Sequence, residues 1–152
     1  MPRFDNREVS FDVPEGWQDR TVISFEAPRG GGVQPPSNVT LTKQPVASDK
    51  TLMGLVTQQI ADLSMAFPKF ELVRQRDTTV GTAPAIEILF HWAHPQGALT
   101  QQVTMFVNEG HVWSLTATTA RGQIERDAAH FERMLRTLKF APPGPLPESR
   151  RT

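Results

Sequence analysis

Apolar residues recur along this chain at two different periods, and the changes of period mark its elements. From Glu8 to Val13 apolar and polar residues alternate, as in a strand with one buried face, and Pro14-Glu15-Gly16 then breaks the run as a turn. Thr21 to Ala27 contains Val22, Ile23 and Phe25 and reads as a second strand. Pro28 through Pro36 holds Gly30-Gly31-Gly32 and reads as a loop. Asn38 to Lys43 reads as a third strand, with Val39 and Leu41 on one face and Thr40 and Thr42 on the other.

The period then lengthens. Leu52, Leu55, Val56, Gln59, Ile60, Leu63 and Phe67 follow at helical spacing, with Asp49 as the expected N-cap and Pro68 as the stop. Phe70 to Val80 and Pro84 to Trp92 read as strands around a turn at Gly81. Pro95-Gln96-Gly97 is a hairpin turn in this reading, followed by strands over Thr100 to Asn108 and Val112 to Thr119 around Glu109-Gly110. A final helix sets Ile124, Ala128, Phe131, Leu135 and Leu138 on one stripe and ends before Pro142-Pro143. The predicted order is three strands, a helix, four strands and a helix. Runs of strands joined by short turns imply an antiparallel β-sheet packed with two main helices, an α+β fold. The domain is expected over residues 1–141, with a polar, Pro-rich tail over 142–152.

Composition narrows the function more by exclusion than by assignment. The chain has 152 residues, the size of one domain, with 38% hydrophobic and 21% charged residues, which suits a globular protein. Sixteen basic residues balance sixteen acidic ones, so no general attraction to nucleic acid or to an anionic membrane is expected. With no cysteine, disulfides, thiolate metal sites and thiol catalysis fall away. The charged N-terminal stretch is followed by no apolar secretory segment, and the longest apolar run, around Ile86 to Phe90, is far short of a span. A cytoplasmic location is therefore expected.

Each candidate for chemistry is weak. His91 and His94 stand at i, i+3 on a strand and point to opposite faces; Glu87 and His91 share a face but lack a third ligand. Gly30-Gly31-Gly32 has neither the Lys-Ser/Thr ending nor the following helix of a phosphate loop. No Gly-x-Ser-x-Gly elbow occurs. The expectation is a protein without catalytic residues, metal or cofactor. Gln58-Gln59 and Gln101-Gln102 carry more information, because a glutamine beside an apolar surface needs hydrogen-bond partners that a ligand can supply.

Several segments together resemble DcrB-related domains. They are Phe11-Asp12-Val13-Pro14-Glu15-Gly16-Trp17-Gln18-Asp19, Asn38-Val39-Thr40, Leu55-Val56-Thr57-Gln58-Gln59-Ile60 and Gly81-Thr82-Ala83-Pro84-Ala85, followed by Phe90-His91-Trp92, Gln101-Gln102-Val103 and Leu115-Thr116-Ala117-Thr118. Their order spans about Glu8 to Phe140. A short chain without export signal or lipobox is similar, within that group, to the Eag proteins of Gram-negative bacteria, chaperones for effectors of the type VI secretion system.

The resemblance implies a Mog1/PsbP-like fold and a homodimer whose protomers form an apolar cradle. It also implies a client, the transmembrane-helix-containing N-terminal region of a PAAR- or Rhs-type effector. Carried over position by position, the client-binding residues would be Val22, Ser24, Val39, Gln59, Leu63, Phe67, Ala98 and Gln102. Ser24 departs from the pattern, since a larger apolar side chain suits that position better. The alternatives are a DcrB-like housekeeping domain in membrane-protein biogenesis and a small α+β enzyme.

Overall fold

The structure is a computed structural model that describes residues 3–5, 8–28 and 36–140. Gly30-Gly31-Gly32 and the expected tail over 142–152 lie outside the described residues. The chain divides into two compact units, one of Arg20–Leu138 and one that takes the residues before Arg20 together with those after Leu138. In the smaller unit, strand β1 (Arg3–Asp5) pairs antiparallel with β2 (Ser10–Asp12). Arg3 ties the pair by donating to the Ser10 hydroxyl at 2.7 Å. The described order is therefore four strands, a helix, four strands and a helix. The sequence reading missed β1 because a strand of three residues is too short to display a period.

The larger unit is built on a six-stranded antiparallel sheet. Its strands are β3 (Val22–Glu26), β4 (Asn38–Pro45), β5 (Glu71–Val80), β6 (Ala83–His94), β7 (Gly97–Asn108) and β8 (His111–Ala120), in the spatial order β3-β4-β8-β7-β6-β5. The last four strands form a meander, and its turns are legible in the residues. Glu109 and Gly110 both take positive φ, 52° and 73°, as the commonest two-residue hairpin turn requires. A bulge between Leu72 and Arg74 lets β5 bend at the sheet edge.

Alternation sends the rows of this sheet to opposite faces. One row runs Phe25, Val39, Ala117, Gln102, Leu89, Arg74. Its neighbour on the other face runs Ser24, Thr40, Thr116, Val103, Ile88, Gln75. Helix α2 (Ile124–Thr137) covers the first face, where Phe131 packs with Val39, Leu115 and Ala117. Leu135 and Leu138 extend that contact onto Val80, Ala85 and Phe106. The cover is anchored near its start by the Ser37 hydroxyl, which donates to Asp127 Oδ2 at 2.5 Å.

Helix α1 (Leu52–Ala66) covers the second face, burying Val56 completely against Ile86, Ile88, Phe90, Val103 and Met105. The sheet thus has a helix on each side, and the β6–β7 centre is buried from both. Burial of side chains such as Phe90 and Ile88 contributes about 1.5–3 kcal/mol each. The helix begins two residues later than expected. Thr51, not Asp49, is the N-cap, its hydroxyl accepting from the Gly54 N–H at 3.0 Å. Asp49 instead lies in the turn that precedes the helix. No helix among the described residues is long and apolar enough to cross a membrane.

Candidate binding groove

Because α1 sits over β6 and β7, the β3–β4–β8 part of the same sheet face lies beside it and not beneath it. The step between helix and strands is a groove of about 270 Å³. Val103, Met105 and Val112 lie at its floor, each at most 9% exposed, so the accessible lining is more polar than apolar. Leu55, Gln58, Gln59 and Asp62 of α1 form one wall; Thr42, Gln44, Ser114 and Thr116 form the other. A helix with its side chains is about 10–12 Å across, so this volume takes side chains projecting from a ligand and not a whole helix.

Two glutamines on the helix wall differ in what holds them. Gln58 donates to Asp62 Oδ1 at 2.9 Å, an i, i+4 contact along the exposed flank. Gln59 is half-buried, and its side-chain amide has no hydrogen-bond partner among the described residues. It lines the groove, where a ligand amide or hydroxyl can meet its donor and acceptor.

Beyond the groove the strand side forms a shelf of small side chains. Ser24, Thr40 and Thr116 stand in one row, Val22, Thr42 and Ser114 in the next. Ser24 Oγ and Thr40 Oγ1 are 3.3 Å apart. Small hydroxyl residues of this kind let a helix backbone approach closely and offer it hydrogen bonds. The helix wall is itself unusual: Asp62 is the only charged residue from Leu52 to Ala66, and Met53 and Met65 are exposed on its outer side. By contrast α2 carries Glu125, Arg126, Asp127, Glu132, Arg133 and Arg136.

The titratable groups of β6 are engaged elsewhere. Glu87 is buried at 3% exposure on the α2 face, its two oxygens taken by Arg74 at 2.9 Å and Arg76 at 3.0 Å. His91 Nδ1 lies 2.7 Å from the Thr100 hydroxyl. Among the described residues no three His, Cys, Asp or Glu side chains gather as a metal-binding group.

The residues carried over as client-binding do not make one surface. Val22, Ser24 and Gln59 lie on the groove side, Gln59 in the wall itself and the other two on the shelf. Leu63 and Phe67 are on the same side but pack into the core under α1. Val39 faces the other way and is 6% exposed beneath Phe131 of α2. Gln102 shares its row, and Ala98, exposed near the β6–β7 turn, is on that same face. On the strand side of the groove, Thr42, Gln44, Ser114 and Thr116 fall outside the carried-over set. Alternation already places Thr40 and Thr42 opposite Val39 and Leu41, but a hydroxyl row reads equally as a solvated face.

The sequence profile of the DcrB family matches residues 8–137, most of the chain. The chain belongs to the DcrB family. Among curated proteins this DcrB domain is similar to the effector EagT6 of Pseudomonas aeruginosa, at 21% identity over 147 residues, which are 97% of this chain and 99% of EagT6. Among solved structures it is similar to PA94 of Pseudomonas aeruginosa, titled a protein of unknown function. The TM-score is 0.80 at 18% identity, covering 94% of this chain and 99% of that one. The cyanobacterial PsbP of Synechocystis aligns with a TM-score of 0.50 at 14% identity over 86% of each chain. The DcrB domain described here therefore has the PsbP-like α+β fold, and the likeness to EagT6 agrees with the Eag type of DcrB domain.

Proposed function

We infer that this DcrB domain is an effector chaperone of the type VI secretion system. It holds transmembrane helices from the N-terminal region of a PAAR- or Rhs-type effector in the cytoplasm before export. It works as a homodimer and performs no catalysis. The observation that carries this reading is the groove between α1 and the hydroxyl shelf, with Val103, Met105 and Val112 at its floor and an uncommitted glutamine in its wall. The likeness to EagT6 along almost the whole chain supports it.

The physical requirement is simple. A transmembrane helix in water exposes many large side chains, each stabilised by about 1.5–3 kcal/mol when fully buried. Side chains that enter over Val103, Met105 and Val112 leave water, while Gln59, Thr42 and Thr116 satisfy polar groups of the helix. Such hydrogen bonds contribute about 0.6–2 kcal/mol each, so they set register more than affinity. A partner of this kind is recognised without net charge, and the chain has none.

The test is co-expression with the transmembrane-containing N-terminal region of a PAAR- or Rhs-type effector from the same organism. Co-purification, with the client's helices protected from aggregation and from insertion into vesicles, is the expected result. A folded, dimeric protein that leaves every transmembrane-containing effector fragment to aggregate would falsify the reading.

A further inference from the structure

Helix α1 presents a single charge to its surroundings. Asp62 is the only ionised side chain from Leu52 to Ala66, and among the described residues it is the only charged one that lines the groove. The helix neighbours in a position to neutralise it are Gln58, Gln59, Met65 and Ala66, none of them basic. Gln58 donates to Oδ1 at 2.9 Å, and no cation among the described residues pairs with the carboxylate. Glu71, Glu87 and Asp127, by contrast, each have an arginine. Aspartate is also a poor helix former, so alanine at this interior position would hold the turn better.

The place of Asp62 along the wall gives its charge a use. Leu55 and Asp62 stand seven residues apart, about 10 Å along the helix, so the wall is neutral at one end and acidic at the other. A transmembrane segment is uneven in the same way, apolar along its length with Lys and Arg at its ends. An apolar stretch laid over Asp62 strips water from the carboxylate and returns nothing. A basic end replaces that water with a counter-charge. We propose that Asp62 takes the ammonium or guanidinium of a Lys or Arg flanking the client's transmembrane segment, and so sets where the helix stops along the groove. The inference rests on the transmembrane client of the reading above and adds the residue that fixes its register. Asp62 discriminates twice, by attracting a basic end and by disfavouring an apolar or acidic one.

Model peptides test this on the full chain. Each has an apolar segment of about 20 residues, delivered from mild non-ionic detergent, with two lysines, two glutamates or only glutamines at one end. The lysine-ended peptide should bind about three- to tenfold tighter than the glutamine-ended one, and the glutamate-ended peptide more weakly than either. Raising salt from about 50 to 500 mM should shrink that preference, as it does for a partly exposed ion pair. Asp62→Asn should abolish the preference and leave binding of the glutamine-ended peptide unchanged, and Asp62→Lys should reverse it toward glutamate. A soluble peptide with the same two lysines and no apolar segment should not bind.

A purely structural Asp62 predicts the opposite pattern. Asp62→Ala should leave the melting temperature within about 2 °C of the parent or raise it, because the helix gains propensity as it loses one contact to Gln58. A drop of many degrees makes the residue structural and overturns the proposal. Equal affinity for the three apolar peptides overturns it while leaving the chaperone reading intact, as does a lysine preference that survives Asp62→Asn. Binding of the soluble lysine peptide as tightly as the apolar one makes Asp62 a general cation site and also overturns it. A folded protein that captures none of the apolar peptides removes the chaperone reading and this inference with it.

Discussion

Phe67 stacks on Trp92 with ring centroids 3.9 Å apart and planes 19° from parallel. The contact joins the C-cap of α1 to β6, and it continues inward. Trp92 Nε1 donates to Gln101 Oε1 at 2.7 Å, and Gln101 Nε2 donates to the Thr118 hydroxyl at 2.9 Å. One chain of contacts thus links α1, β6, β7 and β8. Gln101 is committed to this network, so of the adjacent glutamines Gln101 and Gln102 it has the structural role.

The stack has a measurable coupling. Phe67→Ala should lower stability by about 2–3 kcal/mol, less than for a fully buried ring because Phe67 is half-buried. Trp92→Phe keeps an aromatic face but leaves Gln101 Oε1 without its donor, at about 1–2 kcal/mol. A double-mutant cycle between Phe67→Ala and Trp92→Ala, read by urea denaturation, should show a coupling of about 0.5–1.5 kcal/mol. Strict additivity would mean that the stack contributes nothing beyond burial. Phe67 is accordingly a poor probe of ligand binding, since its removal loosens the helix end first.

The helix start offers a second test. Thr51→Ala removes the acceptor of the Gly54 N–H and should cost about 1 kcal/mol, while Thr51→Ser should recover most of it. Asp49→Ala, in the preceding turn, should stay within about 0.5 kcal/mol. Thermal melts of the three variants decide it; the opposite ranking would return the cap to Asp49.

That cap illustrates where the residues spoke for themselves and where they did not. The Glu109-Gly110 turn, the stop at Pro68 and the stripe from Ile124 to Leu138 are local matters, and each could be read from spacing. Which sheet face receives which helix is not local. It depends on the register that sets Val39 against Ala117 and Thr40 against Thr116. Without that register Val39 reads as readily for a ligand surface as for the core under α2. The groove wall formed by Thr42, Ser114 and Thr116 was illegible for the same reason, since it joins strands about seventy residues apart in the chain, a non-local pairing.

Glu87 provides a third prediction through an asymmetry of burial. The carboxylate is 3% exposed, whereas the Arg74 and Arg76 side chains are 43% and 55% exposed. Glu87→Gln leaves two guanidinium groups that water can reach, so the loss should be about 1–2 kcal/mol. Arg74→Met with Arg76→Met strands a buried carboxylate and should cost about 3–5 kcal/mol. Chemical denaturation should find the arginine pair the more damaging. Equal losses would mean that Glu87 is hydrated in solution despite its burial.

The groove reading is most exposed to test at Thr116. Its side chain is partly exposed in the wall, on a central strand where an aromatic residue is well tolerated. Thr116→Phe should fill the groove above Val103 with little change in melting temperature, yet weaken client capture about tenfold or more. Gln59→Ala removes a single amide and should weaken capture by a few-fold to about thirtyfold, the equivalent of about 0.6–2 kcal/mol. Gln102→Ala lies on the opposite face and should leave capture unchanged. Val39→Gln places an amide beneath Phe131 and should fail by unfolding, not by losing its client. Affinity measured against a solubilised effector N-terminus separates these outcomes. If Gln102→Ala weakens binding while Thr116→Phe does not, the client lies on the α2 face and the groove is not its site.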